Sequence, residues 1–164
     1  MLLCSCGTGL SIRKSKVNYF DSNFSATVDN KSFKVKGRRY GDLTLLNLFE
    51  IRDENIDSVH ISFNDSKELK LTYTFKGQEI IKTLTGYFAK KGYYEIYFRN
   101  QKKEIPPLLP IIYSNNHINR VRLALTIDGN LIIDNMWDDS GNIFILAAGS
   151  SGRRQSFFKC KDLK

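Results

Sequence analysis

From Val59 onward the chain alternates apolar and polar residues with a period of two. Val59, Ile61 and Phe63 share one face and His60 and Ser62 the other, the signature of a strand buried on one side. After Asn64-Asp65-Ser66 the next run puts Leu69, Leu71, Tyr73 and Phe75 on one face. Lys76-Gly77-Gln78 then turns into a strand over 80–88, and Lys90-Lys91-Gly92 into one over 93–99. Four more strands are predicted over 118–126, 130–135, 142–148 and 155–161, separated by turns at Asp128-Gly129, 138–141 and 149–152. Between 100 and 117 the pattern breaks in "NQKKEIPPLLPIIYSNNH". Pro106, Pro107 and Pro110 lack backbone donors there, so this stretch reads as an irregular cover over the sheet.

Upstream, "FSATVDNKSFKVKG" reads as a hairpin, 24–28 with 33–36, about the turn-forming pair Asp29-Asn30. "DLTLLNLFEI" reads as a short helix capped by Asp42, with Leu45, Leu46 and Phe49 on one face. Eight strands joined by tight turns make an antiparallel up-and-down meander, whose two bare edges are best satisfied by closure into a barrel. The expectation is therefore an all-β domain over 24–164, preceded by a basic, flexible tether over 1–23.

The order of one helix and eight strands, with "LTLLNLF", "LTGYFAKKGYYEIYF" and "GNLIIDN", resembles the calycins, specifically the lipocalin-like domains of small bacterial cell-envelope lipoproteins. The resemblance covers roughly residues 42–161. Classical lipocalins begin with a G-x-W motif, whereas the sole tryptophan here is Trp137. The resemblance implies a non-enzymatic protein, anchored by lipid in the envelope on the periplasmic face of the outer membrane, that binds a small apolar ligand or a protein partner.

The first residues bear on that reading. Leu3-Cys4-Ser5-Cys6 matches a lipobox with Cys6 as the acylated residue, and Gly7-Thr8-Gly9 starts a tether-like stretch. Only five residues precede Cys6 and none is basic, so the reading expects a charged and apolar leader upstream. Charge is lopsided. Through Gly41 eight basic residues face two acidic ones, a net of +6, whereas the rest carries 17 basic and 15 acidic, a net of +2. A basic leader on a balanced body suits a tether near an anionic surface better than a groove tracking phosphates. A nucleic-acid-binding basic barrel, with bases stacked on its aromatic strands, is the alternative, and an enzyme without a recognisable motif is a third. No apolar run reaches the roughly 18 residues that a membrane-spanning helix needs.

Little points to catalysis, metal or cofactor. Gly149-Ser150-Ser151-Gly152 is not a G-x-S-x-G elbow and reads as a turn. Arg153 and Arg154 beside it read as solvated surface. His60 and His117 have no acid or cysteine at a meaningful spacing and read as surface histidines. Asp134, Asp138, Asp139 and Asn142 do not follow the calcium-loop pattern, and Cys4, Cys6 and Cys160 do not form a zinc motif. The expectation is no metal and no cofactor. The aromatic side chains remain: Phe75, Tyr94 and Phe98 would line the mouth of a barrel and touch a small apolar molecule there.

Overall fold

Apolar side chains at every second position pair the chain into two antiparallel sheets that share one core. A computed structural model describes residues 16–18, 22–37, 44–52, 55–89, 92–105, 113–143 and 146–162; Cys6 and the three prolines lie outside them. The smaller sheet holds β2 (Ser25–Asp29), β4 (Ser58–Phe63), β5 (Leu69–Phe75) and β6 (Gln78–Leu84) in the order β2-β4-β5-β6. The larger runs β3-β11-β10-β9-β8-β7, from β3 (Lys34–Gly37), β7 (Tyr87–Phe88), β8 (Tyr94–Ile105), β9 (Tyr113–Thr126), β10 (Leu131–Ile143) and β11 (Leu146–Phe158). A two-residue strand, β1 (Val17–Asn18), pairs with the end of β9.

The inner faces supply the core. Ala26, Val28, Val59, Ile61, Leu69 and Leu71 of the smaller sheet meet Tyr94, Ile96, Val121, Leu123, Leu125, Leu131, Ile133 and Phe158 of the larger. Burial of each such large side chain stabilises the fold by about 1.5–3 kcal/mol. One end is closed by α1 (Leu45–Leu48), with Leu45, Leu46, Leu48 and Phe49 buried against the sheets.

The predicted meander holds within each sheet, since β4 to β6 and β7 to β11 are sequential antiparallel neighbours. The closed eight-stranded barrel does not: the described residues form eleven strands in two sheets. The expected strand over 80–88 breaks at Thr85-Gly86, so β6 bonds to β5 and β7 to β8. Gly86 makes the corner by close approach. A Cβ there would lie 2.6 Å from the Glu95 carbonyl oxygen and 2.7 Å from the Tyr94 ring. On the other side the sheets meet at a single bridge, Val28 to Cys160, flanked by the bonds Asp29 N–H to Lys159 O (3.0 Å) and Lys161 N–H to Thr27 O (2.8 Å).

The expected hairpin about Asp29-Asn30 is corrected too. Its two arms form, but β2 pairs with β4 and β3 with β11. Asn30 is fully buried and works as a hub: its side chain donates to Ile56 O (2.8 Å) and accepts from Leu46 N–H (3.1 Å), while its carbonyl accepts from Leu45 N–H (2.8 Å). A residue suited to turns is used here to hold a helix terminus. The helix is one turn long and its cap is Thr44, whose hydroxyl accepts from Asn47 N–H (3.2 Å); Asp42 lies outside the described residues.

The other corrections concern the far halves of the long strands. Residues 101–105 and 113–117 of the expected irregular cover belong to β8 and β9. The turns expected at 138–141 and 149–152 are strand interior, paired as Asp138 with Ser151 and Gly141 with Ala148. Glycine, serine and aspartate imitate turn signals there because these halves extend past the core, where neither face demands apolar residues.

Candidate functional site

The four long strands carry a polar cleft just beyond the end of the core. Along β10, Leu131 and Ile133 point into the core, and the same parity aims Asn135 and Trp137 at the space next to α1. Trp137 is paired in register with Gly152 of β11. A Cβ on Gly152 would stand 2.7 Å from Cη2 and 2.9 Å from Cε2 of the indole, and closer still to Cζ2. The missing side chain is therefore the seat on which the indole lies.

A row of hydrogen bonds crosses the sheet beside it. Asn119 Nδ2 donates to Glu50 Oε1 (2.7 Å), Asn135 Nδ2 donates to Asn119 Oδ1 (3.1 Å), and Arg154 Nη2 donates to Asn135 Oδ1 (3.4 Å). Glu50 ends the helical turn with φ of 59°, a left-handed backbone that costs a non-glycine residue about 1–2 kcal/mol. That conformation delivers its carboxylate to Asn119. Asn47, Leu48, Glu50, Asn119, Asn135, Trp137 and Arg154 enclose about 250 Å³. A second hollow of about 190 Å³ continues past Asn119 and Trp137 to Arg99, His117 and Asp139. There His117 Nδ1 lies 2.5 Å from Asp139 Oδ1.

Arg154 is the unusual member. It is 6% exposed, burial pushes its guanidinium below the ordinary arginine range, and its Nε has no hydrogen-bond partner. The other arginines in the middle of this sheet each face a carboxylate. Arg122 Nε lies 3.3 Å and Arg120 Nη1 3.4 Å from Glu95, and Arg153 Nε lies 2.8 Å from Asp134. The hydrogen bonds that Arg153 donates to the Asp134 carboxylate raise its guanidinium above its ordinary range. Among the described residues no carboxylate pairs with Arg154. Arg154 borders the cleft, and a buried cation held, among the described residues, by one long bond to an amide gains from a further acceptor for its Nη groups.

The residues singled out from sequence lie elsewhere. Tyr94 is fully buried in β8, its ring 4.8 Å from Phe63 and 4.9 Å from Phe88 between centroids. Phe75, at the end of β5, is partly buried against the same core and has Lys76 Nζ 4.9 Å from its ring centroid. Phe98 is the extra residue of a bulge between Tyr97 and Arg99, also partly buried. None of the three lines the Trp137 cleft. Cys6 lies outside the described residues. His60 is exposed, with Nε2 3.1 Å from Ser25 Oγ. Asp134 and Asp139, grouped along the chain, point to opposite faces of β10, one to Arg153 and the other to His117.

Sequence reasoning missed Trp137, Asn119, Asn135 and the His117–Asp139 pair, and it read Arg154, which is buried, as solvated surface. The available signal was parity, since positions 131, 133, 135 and 137 share one face. Compared with known proteins, the chain matches no family model, no curated protein and no solved structure.

Proposed function

We propose that this chain is a non-enzymatic binding domain of the bacterial cell envelope, held there by acylation of Cys6, and that it takes a saccharide ring in the cleft at Trp137. The observation that carries the ligand class is Trp137 lying on Gly152 in a hollow it shares with Arg154, a guanidinium that no carboxylate pairs among the described residues. A flat indole offers an apolar surface to the C–H face of a sugar. Asn119 supplies an amide donor, Asn135 a carbonyl acceptor, Glu50 a carboxylate acceptor and Arg154 donors, the mixture that neighbouring hydroxyls require. The lipobox at Cys6 and the lopsided charge support the location.

Trp137 is the sole tryptophan, so its emission reports on the cleft directly. Titration with oligosaccharides of glucose, N-acetylglucosamine and glucuronate is expected to change that emission saturably for at least one series. Arg154→Met is expected to weaken the binding at least about tenfold, or 1.4 kcal/mol. A flat emission across all three series overturns the saccharide reading. Location is tested separately: protein expressed with its natural upstream DNA should carry a diacylglycerol mass on Cys6, and an unmodified Cys6 removes the anchor.

A further inference from the structure

The opposite end of the larger sheet carries a second feature that the cleft does not use. β3, the β9–β10 turn and β1 come together around a hollow of about 440 Å³ lined by Lys16, Phe33, Lys34, Lys36, Ile127 and Phe157. Phe33 is 49% exposed and Ile127 68% exposed, two of the large apolar side chains that the fold leaves in solvent. Their positions are fixed by backbone: Phe33 N–H donates to Phe157 O (3.0 Å) and Ile127 N–H to Lys16 O (3.2 Å). Lys34 and Lys36 each hold Nζ 5.8 Å from the centroid of the Phe157 ring. Against these three lysines the hollow contributes one acidic side chain, Asp128.

We infer that this end docks on an anionic lipid bilayer, with Phe33 and Ile127 entering the headgroup layer and Lys16, Lys34 and Lys36 facing its negative charge. Exposed apolar side chains ringed by lysine are what an interfacial membrane contact requires. Each lysine near such a surface strengthens binding about fivefold. Single-stranded nucleic acid suits the patch less well. Bases need successive ring platforms, and here Phe33 is the exposed ring, Phe157 is buried, and Ile127 is an aliphatic chain with nothing to stack. The location also agrees with the chain's course, because nine residues separate Cys6 from Lys16, a reach of at most about 35 Å. From Thr126 at the patch to Asn119 at the cleft, β9 runs seven residues, about 24 Å of strand. Docking at the patch therefore points the Trp137 cleft away from the lipid.

This inference extends the location proposed above and is tested without the anchor. The full chain carrying Cys6→Ser is floated with vesicles of phosphatidylcholine containing phosphatidylglycerol, and with vesicles of phosphatidylcholine alone. Binding is expected on the anionic vesicles, at least about tenfold weaker on the neutral ones, and to fall steeply as salt shortens the screening length from about 10 Å towards 3 Å. Lys34→Glu with Lys36→Glu, and separately Phe33→Ser with Ile127→Ser, should each reduce binding at least about tenfold while circular dichroism shows the parent fold. Equal binding to both vesicle types, or folded variants that bind as the parent does, overturns the inference. So does an oligothymidylate that binds through the same residues while the vesicles do not. A diacylglycerol mass on wild-type Cys6 is read independently, so loss of vesicle binding sinks the patch and leaves the anchor standing.

Discussion

Replacing Gly152 by alanine tests the seat of Trp137 with a single methyl group. The φ of Gly152 is not in the left-handed region, so the backbone accepts alanine and the whole penalty comes from the indole. The new Cβ would be 2.7 Å from Cη2 and 2.9 Å from Cε2, whereas carbon atoms rest about 3.5–4.0 Å apart. The ring has to shift by about an ångström or leave its rotamer, a cost of about 1–3 kcal/mol. Alanine returns about 0.4–1 kcal/mol by restricting the unfolded chain. The net expectation is a loss of about 0–2.6 kcal/mol, or up to about 10 °C in Tm for a chain of this size. The decisive assay is a double-mutant cycle with Trp137→Leu, followed by urea unfolding and far-ultraviolet circular dichroism. Without the indole the same methyl should be neutral or stabilising, giving a coupling of about 1–3 kcal/mol. An additive cycle, with coupling below about 0.5 kcal/mol, would falsify the claim that Gly152 exists to seat Trp137.

Two further outcomes follow from buried groups. Asn30→Ala leaves Leu46 N–H and Ile56 O without their side-chain partner; at about 1–3 kcal/mol for each unsatisfied group the expected loss is about 3 kcal/mol by denaturant unfolding, and a loss under about 1 kcal/mol would refute the hub. For Cys160, burial pushes the thiol above its ordinary range, so in a Cys4→Ser, Cys6→Ser background iodoacetamide at mildly alkaline pH should react at least about tenfold more slowly than with the unfolded chain. The sign for stability follows: the unfolded thiol, near 8.5, ionises first, so this contribution is intact below that pH and falls as pH rises above it towards the higher folded value. Equal rates before and after unfolding would remove the argument.

Where burial dictates the pattern, the fold was legible. Val59, Ile61, Leu69 and Leu71 alternate because one face of β4 and β5 meets the core, and their order in the sheet followed from the tight turns. The pattern fell silent beyond Tyr97 and Met136, where the strands continue by backbone pairing alone. Asp138 to Gly141 and Gly149 to Gly152 have the residues of turns, yet they face each other across a ladder. Asn30 shows the converse, a turn residue spent on a helix terminus. The cleft was illegible for a related reason: Trp137 and Gly152 are fifteen positions apart along the chain, and only the register of β10 and β11 reveals that one makes room for the other.

Among the described residues that same ladder gives most of β11 a neighbour on one side only. β3 covers the other side from Arg154 to Phe157, but from Leu146 to Arg153 the described residues supply a neighbour on the β10 side only. Among the described residues the outer margin of β8 is paired only at Tyr94 and Glu95, yet the strand carries Arg99, Lys102 and Lys103, charges that discourage a foreign strand. "LAAGSSGR" has a single charge, at its end. A run of open amides and carbonyls with so little charge is the kind of margin on which a further strand can be templated.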